Sequence, residues 1–140
     1  LKLGTVFLSE KFINDGKDTA TINLAGQMNF KSLPSSYSMF AVLTILDARK
    51  ESTYDVTITI NDPDKKEVFQ GALNGINIGN SIDISKVRKI SSVISVKCPP
   101  ISFKKSGIYN LKAFVKDRNS SDEDSEQFYF SVEETKNHGK

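Results

Sequence analysis

The residues whose types could do chemistry fall into three groups, and none forms a reactive constellation. Asp117, Asp122, Glu123, Asp124 and Glu126 crowd into one acidic stretch. Clustered carboxylates between strands can bind Ca²⁺, which takes about six to eight oxygen ligands. This run lacks the residue spacing of a calcium loop, so it reads as a solvated loop and no metal is expected. Lys104 and Lys105, with Lys86, Arg88 and Lys89, make a second group that could hold phosphate. No aromatic residue interleaves them, as single-stranded nucleic acid would require. Surface charge that blunts exposed strand edges accounts for them equally well.

Cys98 is the third candidate. It is the only cysteine, and the only histidine, His138, lies in a tail expected to be disordered. A Cys–His pair, a Ser–His–Asp triad and a histidine-ligated zinc site each need a second member that the sequence does not place nearby. Cys98 reads better as a small buried apolar residue. No catalytic residue, cofactor or enzymatic activity is expected. Asn119-Ser120-Ser121 matches a glycosylation acceptor, but so short a pattern carries no weight.

The elements that must position these residues are strands. The chain has 140 residues, a length that suits one domain, with residues 1–132 as the folded unit and 133–140 as the frayed tail. One cysteine excludes an internal disulfide and fits a reducing cytoplasm. A net charge of +2 gives no concentrated basic field, so neither nucleic acid nor membrane is expected as partner. No apolar run approaches the roughly 20 residues of a membrane helix.

Thr5 to Leu8 reads as a first strand, followed by turn chemistry at Asn14-Asp15-Gly16. Ile22 to Phe30 alternates with period two and reads as one strand, the hairpin partner of the first. Gly26 within it suggests a bulge or a close backbone approach. Pro34 breaks the pattern, and Met39 to Leu46 is apolar enough to be covered on both faces. Tyr54 to Asn61 is the clearest strand, with Tyr54, Val56, Ile58 and Ile60 inward. Asp62-Pro63-Asp64-Lys65 is a turn, and Glu67 to Leu73 returns as the partner. Asn74-Gly75 and Gly79-Asn80 read as turns, and residues 81–88 as either a short helix or a loop. Ile90 to Cys98 resumes strand character until Pro99-Pro100.

Gly107 then opens a strand with Tyr109, Leu111, Ala113 and Val115 on one face. A glycine, a tyrosine two residues on and alternating apolar positions match the tyrosine corner of an immunoglobulin-like sandwich. The Tyr109 hydroxyl should then bond the backbone between Ser102 and Lys105. Residues 117–126 read as an acidic loop, and Phe128, Phe130 and Val132 as the last strand, paired with the Tyr109 strand. The fold class expected is all-β: an immunoglobulin-like antiparallel sandwich of about seven to nine strands.

Over about Thr5 to Val132 the chain resembles a family of uncharacterised bacterial and phage proteins. The shared features are the early strand, the Asn14-Asp15-Gly16 turn, the strand ending near Gly26 and the Leu33-Pro34 step. The Tyr54–Asn61 strand with its Asp62/Asp64 turn and the Gly107-Ile108-Tyr109 strand complete them. The resemblance implies a single β-sandwich encoded in a bacterial or prophage genome, and it implies no activity. The chain lacks both disulfide cysteines and the core Trp of antibody-type domains.

These readings favour a non-enzymatic sandwich that binds a protein, in a phage setting a protein of the host, with residues 116–127 and Lys104-Lys105 as candidate contacts. The alternative is a surface or virion-associated carbohydrate binder. It has only Tyr37, Tyr54, Tyr109 and Tyr129 as stacking platforms, since Trp is absent.

Overall fold

In the computed structural model, residues 1–14, 20–24, 26–49, 51–78 and 89–135 are described. They form eleven strands and no helix: β1 (Lys2–Asn14), β2 (Ala20–Leu24), β3 (Gln27–Phe30), β4 (Ser35–Tyr37), β5 (Phe40–Arg49), β6 (Tyr54–Asn61), β7 (Glu67–Ile76), β8 (Lys89–Lys97), β9 (Ile101–Phe103), β10 (Gly107–Asp117) and β11 (Glu123–Glu134). A four-stranded sheet ordered β2-β1-β5-β8 faces a five-stranded sheet ordered β3-β11-β10-β6-β7. Strands β4 and β9 form a small third sheet. The all-β sandwich expected is what the described residues build, with eleven strands where seven to nine were expected. The neighbour orders β11-β10-β6 and β1-β5-β8 match the orders G-F-C and A-B-E of an immunoglobulin-like sandwich.

Alternation decides which side chains meet. In β6 every second residue is buried, with Tyr54, Val56, Ile58 and Ile60 inaccessible to solvent. A one-residue slip would turn all four outward, so apolar burial fixes the register of the sheet centre. Strand β10 repeats the pattern through Tyr109, Leu111, Ala113 and Val115. Leu111 is two residues past Tyr109, where antibody-type domains carry the second disulfide cysteine, and it is fully buried. Facing them, β5 buries Ala41, Val42 and Leu43 consecutively, as its unbroken apolar run implies.

Several sequence expectations are corrected. Residues 22–30 are not one strand. Strand β2 pairs antiparallel with β1, whereas β3 joins the opposite sheet and runs parallel to β11, from Gln27 beside Ser131 to Phe30 beside Glu134. The sandwich is thus antiparallel except at this pair. Gly26 is no close approach among the described residues, since a Cβ there would meet none of them within 4 Å. Asn74-Gly75 is not a turn but a bulge within β7: Tyr54 pairs with Ile76 while Val56 pairs with Leu73. Gly75 takes φ +70° there and donates its N–H to Asp55 Oδ1 at 2.9 Å. The acidic loop is shorter than expected, because β11 begins at Glu123. Nor does the chain fray at Glu133, since Glu133 and Glu134 still pair with β3. Asn14 closes β1, and the rest of its expected turn, Gly79-Asn80 and residues 81–88 lie outside the described residues.

The Asp62–Lys65 turn forms as expected. The Lys65 N–H donates to the Asp62 carbonyl at 2.9 Å, and Lys65 itself takes a left-handed φ of 65°. Asp62 locks the turn, its Oδ1 accepting the N–H groups of Asp64 and Lys66 at 2.8 and 2.9 Å.

Candidate functional site

Most residues singled out by sequence lie at opposite ends of β10, each end closed by its own bonds, while Glu126 stands opposite Ala113 in mid-strand and Cys98 lies in the core. Along an 11-residue strand rising about 3.4 Å per residue, the two ends are roughly 35 Å apart. Lys104-Lys105 and the acidic stretch therefore cannot form one site.

At the first end stands the tyrosine corner. Tyr109 donates its hydroxyl to the Lys105 carbonyl at 2.8 Å, within the expected stretch. Burial raises its phenol above the usual tyrosine range, against the lowering effect of that backbone contact. The ring packs edge-on to Phe103 at 5.4 Å and stacks on Phe130 at 5.6 Å, while Phe103 stacks on Phe30 at 5.7 Å. Gly107 has φ +134°, and a Cβ there would lie 2.7 Å from Pro63 Cγ. Two turns are thereby pressed together, and Lys105 crosses between them to pair with Asp64, with Asp62 at 3.9 Å. The Lys105 hydrogen bond and charge hold the Asp64 carboxyl below the usual range. Lys105 thus joins two turns, and Lys104 is exposed beside it.

At the second end Asp117 occupies the inward-facing position after Val115 and is fully buried. Its carboxylate accepts the Asn119 N–H at 2.8 Å, the Ser52 hydroxyl at 3.0 Å and the Ser120 hydroxyl at 3.1 Å. Burial works to raise its pKa, but these donors outweigh it and hold the group below the usual carboxylate range. Around it, the Asn119 amide oxygen accepts the Thr53 N–H, and the Asp122 carbonyl accepts the Asp117 N–H. Asp124 Oδ2 accepts the Leu3 N–H at 2.8 Å and ties this end to the other sheet. Glu123 and Glu126 are exposed. Among the described residues, no three His, Cys, Asp or Glu side chains converge as a metal-ligand set would. Cys98 is fully buried, and desolvation pushes its thiol up to about 11, which suits an inert core residue.

The surface that sequence reading missed is the outer face of the five-stranded sheet. Register assembles it row by row. Asn110 stands between Tyr129 and Asn61, Lys112 between Gln127 and Thr59, and Phe114 between Ser125 and Thr57. Strand β7 adds Gln70 beside Thr59 and Ala72 beside Thr57. Tyr129 and Ile108 are about three-fifths exposed, at 60% and 59%. Asn110 Nδ2 donates to Gln127 Oε1 at 3.1 Å. Charge returns only at the margins, where Lys116 lies between Glu123 and Asp55, and Glu67 lies opposite Asn61. Arg118 binds Asp55 at that margin, at 2.9 Å. Within the rows just described, Lys112 is the single charge.

Five strands about 4.8 Å apart and a strand length near 35 Å give a face of roughly 700 Å². A standard protein interface takes about 800 Å² per partner. Interface centres are depleted in Lys, Glu and Asp and enriched in aromatic residues, as these rows are. Tyr129 beside amide and hydroxyl groups combines a rigid aromatic contact with adaptable hydrogen bonding.

No protein-family model matches the chain, and no curated protein is similar to it.

Proposed function

We propose that this protein is a non-enzymatic interaction module that binds another protein through the outer face of its five-stranded sheet. The observation that carries the proposal is the charge-poor field centred on Lys112, with Tyr129, Ile108 and Phe114 exposed or half-exposed among amides and hydroxyls. A solvated sheet face with no task would normally mix Lys and Glu throughout. Here the charges are concentrated in the two end clusters, where several are bound internally. Lys112 calls for a carboxylate on the facing surface. We propose further, on the family resemblance read from the sequence alone, that the partner is a cytoplasmic protein of the encoding or infected bacterium.

Photo-crosslinking tests this. A photoreactive residue in place of Tyr129 should capture one protein stoichiometrically from the bacterial lysate, and one in place of Glu123 should not. Capture from position 123 alone would move the binding surface to the acidic end. A second reading is carbohydrate binding, with exposed Tyr129 stacking on a sugar ring beside Asn110 and Gln127. Retention on neutral polysaccharide that Tyr129→Ala abolishes would favour it.

A further inference from the structure

Strand β8 offers a different kind of contact. It closes one side of the four-stranded sheet, and among the described residues no strand lies beyond it. Its nine residues include an inner run, Ile90 to Val96, with no charge, no proline and no glycine. Four of those seven, Ile90, Val93, Ile94 and Val96, are β-branched. Pairing with β5 runs unbroken from Phe40 beside Lys97 to Ile45 beside Ser92. Such an edge presents free N–H and C=O groups in a regular row and is a template for another strand.

The other outer strands are shorter or more interrupted, whereas the shift opposite β8 falls at its beginning, between Ile90 and Ser92. Strand β7 carries the Gly75 bulge and register shifts at both ends. Strand β2 has five residues and pairs across a shift in β1, and β3 has four. Strand β8 pairs in unbroken register with β5 from Ser92 to Lys97, beyond the one shift between Ile45 and Ala48.

We infer that β8 pairs antiparallel with β8 of a second copy, joining two four-stranded sheets into one continuous sheet across a two-fold axis. Opposed residues in an antiparallel pair must lie on the same face. Ile94 and Val96 face inward, opposite Leu43 and Ala41, while Val93 and Ser95 face outward. An axis at Val93 would set Lys89 against Lys97 in both halves, and like charges directly opposed repel. An axis at Ser92 would carry Val96 and Lys97 past the start of the facing strand. An axis at Ile94 avoids both. It matches Ile94 with itself, Ser92 with Val96, Val93 with Ser95, and Ser91 with Lys97. Val93, 37% exposed and opposite Thr44, gains cover in this arrangement.

The contact is isologous, as a two-fold dimer requires. It spans about seven residues per copy and buries less than the roughly 1,200 Å² of a stable interface, so the dimer is weak and reversible. The outer face of the five-stranded sheet stays open for its own partner.

Sedimentation velocity on the full chain, from about 10 µM to about 1 mM, tests the inference. The dimer fraction should rise with concentration, and amides of residues 91–97 should exchange more slowly at the high end. Val93→Lys places a charge beside the axis in both copies on a partly exposed, outward-facing position. It should keep the melting temperature and lower the association constant at least about tenfold. Tyr129→Lys, on the other sheet, should leave association unchanged. A monomer throughout the range would overturn the inference. So would a dimer that withstands Val93→Lys, or one that Tyr129→Lys dissolves.

Discussion

The two ends of β10 and the face between them differ in where their polar groups turn. At the ends, charged side chains point into the molecule or across turns. Asp117 collects three donors, Asp62 two, and Lys105 bridges to Asp64. No side-chain nitrogen or oxygen that is buried among the described residues lacks a partner. On the outer face, uncharged amides and hydroxyls stand at the surface with a tyrosine and an isoleucine open to solvent. The lesson is that density of charge in a sequence marks a place where chain must be organised as readily as a place where ligand binds. A surface kept for a partner is better recognised by the charges it lacks.

If that contrast is right, substitutions at the ends should change stability and substitutions on the face should change binding. The largest effect is expected at Asp117. Asp117→Ala leaves the Asn119 N–H and two hydroxyls without their shared acceptor, and should cost about 3 kcal/mol in urea unfolding. The depressed pKa adds a pH signature. Because the folded-state value lies below the unfolded one, the stabilisation is fully present above about pH 4 and is lost as pH falls through the native value. Asp117→Ala should therefore flatten the acid limb of the stability profile.

Gly107→Ala comes next. It forces an L side chain to φ +134° and drives its Cβ into Pro63, at a cost of about 2 kcal/mol. Cys98 gives an effect of similar size on the alkaline side. Its folded-state pKa is raised to about 11, so its contribution is complete below the ordinary thiol value and fades as pH rises toward the native one. Across that window the loss is about 2–3 kcal/mol, and Cys98→Ala should remove it from the stability profile. Tyr109→Phe deletes the corner hydrogen bond and should cost about 1 kcal/mol by thermal or urea melting, with binding intact. An unchanged midpoint would show that the bond contributes nothing. On the face, Tyr129→Ala and Lys112→Glu should move stability by less than about 0.5 kcal/mol.

What sequence could show follows the same division. Strand β6 and the Tyr109 strand were legible because alternation with burial on one face leaves a period-two record. The tyrosine corner was legible because it depends on Gly107 and Tyr109 at fixed spacing. The passage from β2 to β3 was hidden, since alternation continues through both strands while their partners change. Gly75 fits a turn or a bulge equally, because both can use a left-handed residue. Glu123, Asp124 and Glu126 looked like loop because the start of β11 has no apolar alternation. The outer face was hidden for a stronger reason. Asn61, Asn110 and Tyr129 are unremarkable outward positions taken singly, and only cross-strand register makes them neighbours.

The most direct test compares two variants against the protein captured by crosslinking. Isothermal titration would be run with the wild type, with Tyr129→Ala, and with Glu123→Lys. The account predicts that Tyr129→Ala weakens binding at least about tenfold, while the charge-reversed variant binds within about twofold of wild type. The opposite pattern, binding lost on charge reversal and kept in Tyr129→Ala, would contradict the assignment of the sheet face and return the function to the acidic end of β10.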